Sequence, residues 1–126
     1  MKKIINTSNA PAPIGPYNQA VLVGNTLYTS GQIAISPKTG ELVLDTITDE
    51  TKQVMENLKA VLKEVNMTFE NVFKTTIFIS DMHNFSAINE VYGTYFNSDT
   101  APARETVEVA NLPKFVNVEI SVIAIK

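Results

Sequence analysis

The sequence predicts an α+β fold, with two helices laid against one face of a mixed β-sheet. Three observations lead there. Two segments repeat apolar residues at helical spacing, several short segments concentrate β-branched and aromatic residues, and they follow one another in the order β-β-α-β-α-β-β. The first two strands are Ala20 to Val23 and Thr26 to Ser30, flanking Gly24-Asn25, a dipeptide suited to a hairpin turn. Ser36-Pro37-Lys38-Thr39-Gly40 follows as a loop with strong turn chemistry. The first helix is expected to be capped by Thr48, with Asp49 and Glu50 where the helix dipole favours acids, and to end near Asn66. Its stripe is Val54, Leu58, Val61, Leu62 and Val65. Val72 to Ser80 reads as a strand. A second helix runs from Asn84 to Asn97, with Phe85, Ile88, Val91, Tyr92 and Phe96 on its apolar side. Arg104 to Val109 and Val116 to Ile125 complete the strands.

The last strand says more than its own existence. Val116, Val118, Ile120, Val122 and Ala124 share one face, while Asn117, Glu119, Ser121, Ile123 and Ile125 share the other. Two helices can cover one side of a sheet this size but not both. The second side turns apolar towards the C-terminus, so it is expected to meet another copy of the chain.

Composition narrows the function classes. A chain of 126 residues, 44% hydrophobic and 18% charged, has the size and balance of one compact domain over residues 1–126. Its net charge is −3 with no basic run, which gives nucleic acid no electrostatic footprint. Cysteine is absent, which removes disulfides, thiolate nucleophiles and zinc-thiolate sites. No stretch of about 18 apolar residues would span a membrane. Met1-Lys2-Lys3-Ile4-Ile5-Asn6 starts like a signal peptide but lacks an apolar core behind it, so the chain is expected in the cytoplasm.

Among residues able to do chemistry, Arg104 stands out as the one arginine beside nine lysines. Its planar fork matches a carboxylate in a way a lysine cannot. The alternative is a structural ion pair with Glu105, Glu108 or another acid. Glu119, between Val118 and Ile120, has the surroundings to raise a carboxyl pKa; the alternative is an exposed acid that keeps a strand soluble. His83 is the only histidine and has no ligand set around it, so neither a metal site nor a Ser-His-Asp triad is supported. No GxGxxG or P-loop pattern occurs.

Four blocks, in order, then match a known family. They are Asn9-Ala10-Pro11-Ala12-Pro13-Ile14-Gly15-Pro16-Tyr17-Asn18-Gln19-Ala20; Thr29-Ser30-Gly31-Gln32-Ile33 with Pro37-Lys38-Thr39-Gly40-Glu41; Lys74-Thr75-Thr76-Ile77-Phe78; and Pro102-Ala103-Arg104 through Leu112-Pro113-Lys114 to Val118-Glu119-Ile120. Together they resemble the RidA family, also called YjgF-like, over essentially the whole chain. The resemblance implies a chorismate-mutase-like homotrimer with clefts between subunits. It implies hydrolysis of 2-imino acids, or enamine tautomers such as 2-aminoacrylate, to 2-oxo acids and ammonia, without metal or organic cofactor. By motif, Arg104 would clamp the substrate carboxylate and Glu119 would position water or handle the imine proton. Tyr17, Ser30, the Gly31 backbone, Asn89 and the Thr106 backbone would line the pocket.

The chain departs from the family pattern twice. Thr106 stands where many members have cysteine, which removes any thiol-based regulation there. Family tails commonly read Glu-Ile-Glu, whereas this one reads Glu119-Ile120-Ser121. Losing the second acid removes a like charge on the same face, so Glu119 should ionise more readily than in relatives with both. Two other functions stay open beside deamination: a binding or regulatory protein for 2-oxo acids without turnover, and a ribonuclease or translation inhibitor. The low positive charge and the lack of a histidine pair weigh against the last.

Overall fold

A computed structural model describes residues 1–126. Six strands form one mixed sheet: β1 (Lys2–Ile5), β2 (Ala20–Val23), β3 (Thr26–Thr29), β4 (Val72–Ile79), β5 (Ala103–Glu108) and β6 (Val118–Ile125), in the spatial order β1-β2-β3-β6-β4-β5. Only β4 and β5 run parallel; the remaining pairs are antiparallel. Helix α1 (Ile47–Glu64) precedes β4, and α2 (Phe85–Gly93) makes the crossover from β4 to β5 that a parallel pair requires.

Both helices cover the same face of the sheet, as the sequence predicts. Val54, Leu58 and Leu62 of α1 and Ile88 and Tyr92 of α2 share one buried core with Ile77, Ile79, Val118, Ile120 and Val122. The alternation expected in β6 is present. Val116, Val118, Ile120, Val122 and Ala124 are buried, whereas Asn117, Glu119, Ser121 and Ile123 are only partly covered. On that second face Val23, Tyr28, Val107 and Ile125 stand exposed.

Several boundaries differ from the sequence reading. Thr46, not Thr48, caps α1: its backbone is extended and its hydroxyl accepts from the Asp49 N–H at 3.0 Å, which leaves Thr48 inside the first turn. At the other end Asn66 adopts φ +59° and Met67 donates to the Leu62 carbonyl, closing the helix through a left-handed residue. The second helix is shorter than expected. A single turn at Met82–Asn84, capped by Asp81, precedes α2, and the chain leaves the helix after Gly93 with the Thr94 hydroxyl turned back onto the Val91 carbonyl. β1 was not predicted. Three of its four residues are exposed and only Ile5 is buried, so no alternation marks it.

One buried acid ties the two layers together. Glu50 is fully buried at the start of α1 and accepts from the Asn117 backbone N–H at 2.8 Å, the Asn117 side-chain amide at 2.7 Å and the Val118 N–H at 3.2 Å. The sequence reading gave Glu50 to the helix dipole; its partners lie at the entry to β6 instead. A buried carboxylate is tolerated only when hydrogen-bonded, and removing it leaves buried donors unpaired. Glu50→Ala should therefore lower the unfolding free energy by about 3 kcal/mol. A urea midpoint equal to that of the wild type would contradict this role.

Candidate functional site

The expected site residues fall into two groups. Arg104, Asn89 and Thr106 form the first, at the β5 edge. In the parallel register Arg104 lies beside Thr75 and Thr106 beside Ile77, so both face the helix layer. The Arg104 guanidinium donates to Asn89 Oδ1 at 2.7 Å, and its central carbon lies 5.0 Å from the Tyr92 ring centre and 5.6 Å from that of Phe85. Tyr92 is itself fixed by a 2.9 Å hydrogen bond with the Thr75 hydroxyl. Burial pushes the Tyr92 phenol up, against the opposing pull of that hydrogen bond and of the Arg104 charge.

The structural ion pair considered for Arg104 does not form. Glu105 pairs with Lys74 on the opposite face, and Glu108 accepts from the Met82 N–H at 2.7 Å. Arg104 is thus oriented by a neutral amide and two rings, with its charge left uncompensated by any acid. Such a fork is ready for an external carboxylate. Beside it, the Thr106 hydroxyl is buried without a hydrogen-bond partner.

Glu119, Gly31 and Tyr17 form the second group, on the opposite face. They line one cavity of about 60 Å³ together with Ile14, Gln32 and Pro113. A one-residue register advance builds it: Tyr28 pairs with Ile123, yet Gln32 bridges to Ile120. Between them the chain bulges. The Thr29 hydroxyl takes over bonding to Val122, accepting from its N–H at 2.9 Å, while the Ser30 N–H turns to the Gln19 carbonyl. The bulge carries Gly31 across Glu119. A methyl group there would come within 2.6 Å of the Glu119 Cδ, so any larger residue would have to push the Glu119 side chain out of its present place.

The loop before β2 forms the other wall, and Gln19 indexes it. Its side-chain oxygen accepts from the Thr7 N–H at 2.6 Å, and its amide donates to the carbonyls of Thr7, Ala10 and Pro11 at 2.9, 3.2 and 2.8 Å. Tyr17 stands exposed on this loop, its hydroxyl accepting from the Ile14 N–H at 3.4 Å. Ser30 is turned away from the cavity, donating to the Asn18 carbonyl at 2.6 Å; it clamps the loop to the sheet. Neither Gln19 nor Thr29 was singled out from sequence, because a polar residue beside a strand carries no mark of where its hydrogen bonds go. A larger hollow of about 480 Å³ along α1, bordered by Gln53, Glu56, Lys59 and Lys63, contains none of the expected site residues.

Against this geometry the comparisons are consistent. Residues 7–126 match the family model described as Endoribonuclease L-PSP. A solved structure of a protein of the conserved Rid family from Yersinia pestis superposes with a TM-score of 0.96 at 48% identity, covering all of both chains. The chain belongs to the RidA family. A Mus musculus relative named 2-iminobutanoate/2-iminopropanoate deaminase is 45% identical over 126 residues, all of this chain and 93% of that protein. The Escherichia coli family member TdcF, solved with bound serine, matches at 43% identity and a TM-score of 0.92 over 98% of each chain.

Glu119 is half-buried and its carboxylate accepts no hydrogen bond from the chain, so burial raises its pKa above the ordinary value near 4.5. With the folded value raised, the neutral carboxyl favours folding below the unfolded pKa, and that contribution is lost as pH rises through the folded one. Glu119→Gln should therefore be more stable than wild type at pH 7, as seen in its thermal midpoint, with the difference vanishing near pH 4. Ser121→Glu should push the Glu119 titration further up when followed by NMR; a downward shift would contradict the like-charge argument.

Proposed function

We propose that this chain is a hydrolytic deaminase of reactive 2-imino acids such as 2-iminobutanoate and 2-iminopropanoate, and of the enamine 2-aminoacrylate. It would release 2-oxo acids and ammonia, acting in the cytoplasm as a single domain of residues 1–126 in a homotrimer. The observation that carries the reading is the uncompensated Arg104 fork, held by Asn89 and two aromatic rings with no acid on it. The names of the mouse and other mammalian relatives support the same chemistry.

One protomer presents Arg104 and Glu119 on opposite faces of its sheet. A small substrate reaches both only if the β5 edge of one copy meets the cavity of another. The exposed apolar residues on the uncovered face, Val23, Tyr28, Val107 and Ile125, supply a reason for copies to associate. Each cleft would then take the substrate carboxylate on Arg104 and Asn89 of one subunit, and the reacting carbon beside Glu119, Gly31 and Tyr17 of the next. Thr106 would lie two residues along the same strand face from Arg104. Ser30 would act through the loop it clamps.

The reaction needs little beyond this. Protonated imine nitrogen makes the adjacent carbon electrophilic. As a water oxygen bonds to it, the C=N electron pair moves to nitrogen and Glu119 takes the water proton. Glu119 returns that proton to nitrogen and the C–N bond breaks; ammonia leaves as the freed Glu119 carboxylate takes the proton of the new hydroxyl, giving the 2-oxo acid. The electrophile is activated by protonation and the nucleophile is water, so positioning and electrostatics suffice and the mechanism calls on no metal or cofactor.

The test generates 2-iminobutanoate in situ with a threonine dehydratase. Wild type should accelerate 2-oxobutanoate release; Arg104→Ala and Glu119→Gln should each lose about 100-fold or more in kcat/KM. Arg104→Lys, which keeps the charge but not the fork, should recover little. Activity should fall on acidification through a value above 4.5, as Glu119 becomes protonated. Clean wild type without acceleration would overturn the enzyme reading, and Arg104-dependent binding of 2-oxobutanoate alone would favour a binding protein.

A further inference from the structure

We propose that a groove leading away from Glu119 selects 2-imino acids whose side chain is extended and ends in a carboxylate; the inference rests on the deaminase reading above. The cavity holding Glu119 is small, about 60 Å³, and offers room for a reacting centre and little more. Four of its wall residues, Pro11, Ala12, Ile14 and Ile35, also wall an adjoining hollow of about 290 Å³. The two adjoin along that shared apolar wall. A side chain leaving a reacting carbon at Glu119 on the loop side would run along these apolar residues toward the outer hollow.

The chemistry of the outer hollow is what names the substrate class. Beyond the shared wall it is completed by Ser36, Pro37, Gly40 and Lys114, and Lys114 is its single charged residue. The close contacts between basic and acidic side chains are Lys74 with Glu105 and His83 with Asp81, so the Lys114 ammonium has no acid of its own. An aliphatic stem followed by an anionic end group complements a wall of proline, alanine and isoleucine followed by a free cation.

The backbone at Lys114 is held in a costly conformation. Lys114 and Phe115 are both left-handed, at φ +56° and +54°, which costs about 1–2 kcal/mol for each non-glycine residue. Leu112 and Val116 on either side are buried with Ile33, and the Phe115 N–H donates to the Leu112 carbonyl at 2.8 Å. Two buried anchors thus force the residues between them outward, one of them onto the wall of the hollow. Strain kept by over-determined surroundings is a frequent mark of a working position.

The experiment compares a long and a short product on the same protein. Calorimetric titration of 2-oxoglutarate and 2-oxobutanoate into wild type, Lys114→Ala and Lys114→Arg is run at low salt, alongside hydrolysis of 2-iminoglutarate and 2-iminobutanoate generated in situ by an amino-acid oxidase and a dehydratase. Lys114→Ala should weaken 2-oxoglutarate binding about three- to tenfold and leave 2-oxobutanoate within about twofold, and Lys114→Arg should restore the preference. The same pattern should appear in kcat/KM for the two imines. Equal loss on both ligands, or no loss on the long one, overturns the groove assignment even if 2-iminobutanoate is hydrolysed normally. Should wild type hydrolyse neither imine yet keep a Lys114-dependent preference for 2-oxoglutarate, the deaminase reading falls and the groove assignment stands.

Discussion

The arrangement of this protein depends on a carboxylate that takes no part in its proposed chemistry. Glu50 lies buried in the first turn of α1 and gathers three N–H donors at the entrance to β6. The last donor belongs to Val118, the residue before Glu119. A helix start, a strand start and an acid of the candidate site are therefore set by one group. Because that group is charged and fully enclosed, it tolerates little displacement: a donor lost is not replaced by water. Hydrophobic packing alone, which is non-directional, could hold α1 on the sheet without fixing its position along β6. The carboxylate supplies that fixed position.

The pleat of the sheet then decides how the chemistry is distributed. Successive residues of a strand point to opposite faces, so Arg104 on β5 faces the helices while Glu119 on β6 faces away from them. Each is supported by its own layer. Arg104 draws on α2, through Asn89, Phe85 and Tyr92. Glu119 draws on the bulge at Thr29–Gly31 and on the loop indexed by Gln19. The division keeps a cation and an acid from neutralising each other within one copy. A carboxylate within contact of Arg104 would lower its own pKa and occupy the fork.

Much of this was legible from residue order. The hairpin at Gly24-Asn25, the stripe of α1, the buried face of β6 and the family blocks each depend on local pattern, and local pattern survives folding. What escaped the sequence was long-range or silent in hydropathy. Thr46 and Thr48 are equally good caps on paper, and the choice between them depends on where the chain enters the helix. Lys2 and Lys3 give an edge strand no alternation to read. Glu50 looked like an ordinary first-turn acid because its partners are 67 and 68 residues away. The bulge at Thr29 is set by bonds to Val122, 93 residues on.

Gln19 carries a consequence for how such a site can change over generations. Its amide is saturated by backbone groups alone, one donor to its oxygen and three acceptors around its nitrogen. The path of the loop is thus specified without reference to the side chains at Ala12 or Ile14, both of which are exposed. Stability and selectivity are written in separate residues. A lineage can exchange what the loop shows at Ala12 and Ile14 while its course across the sheet stays fixed.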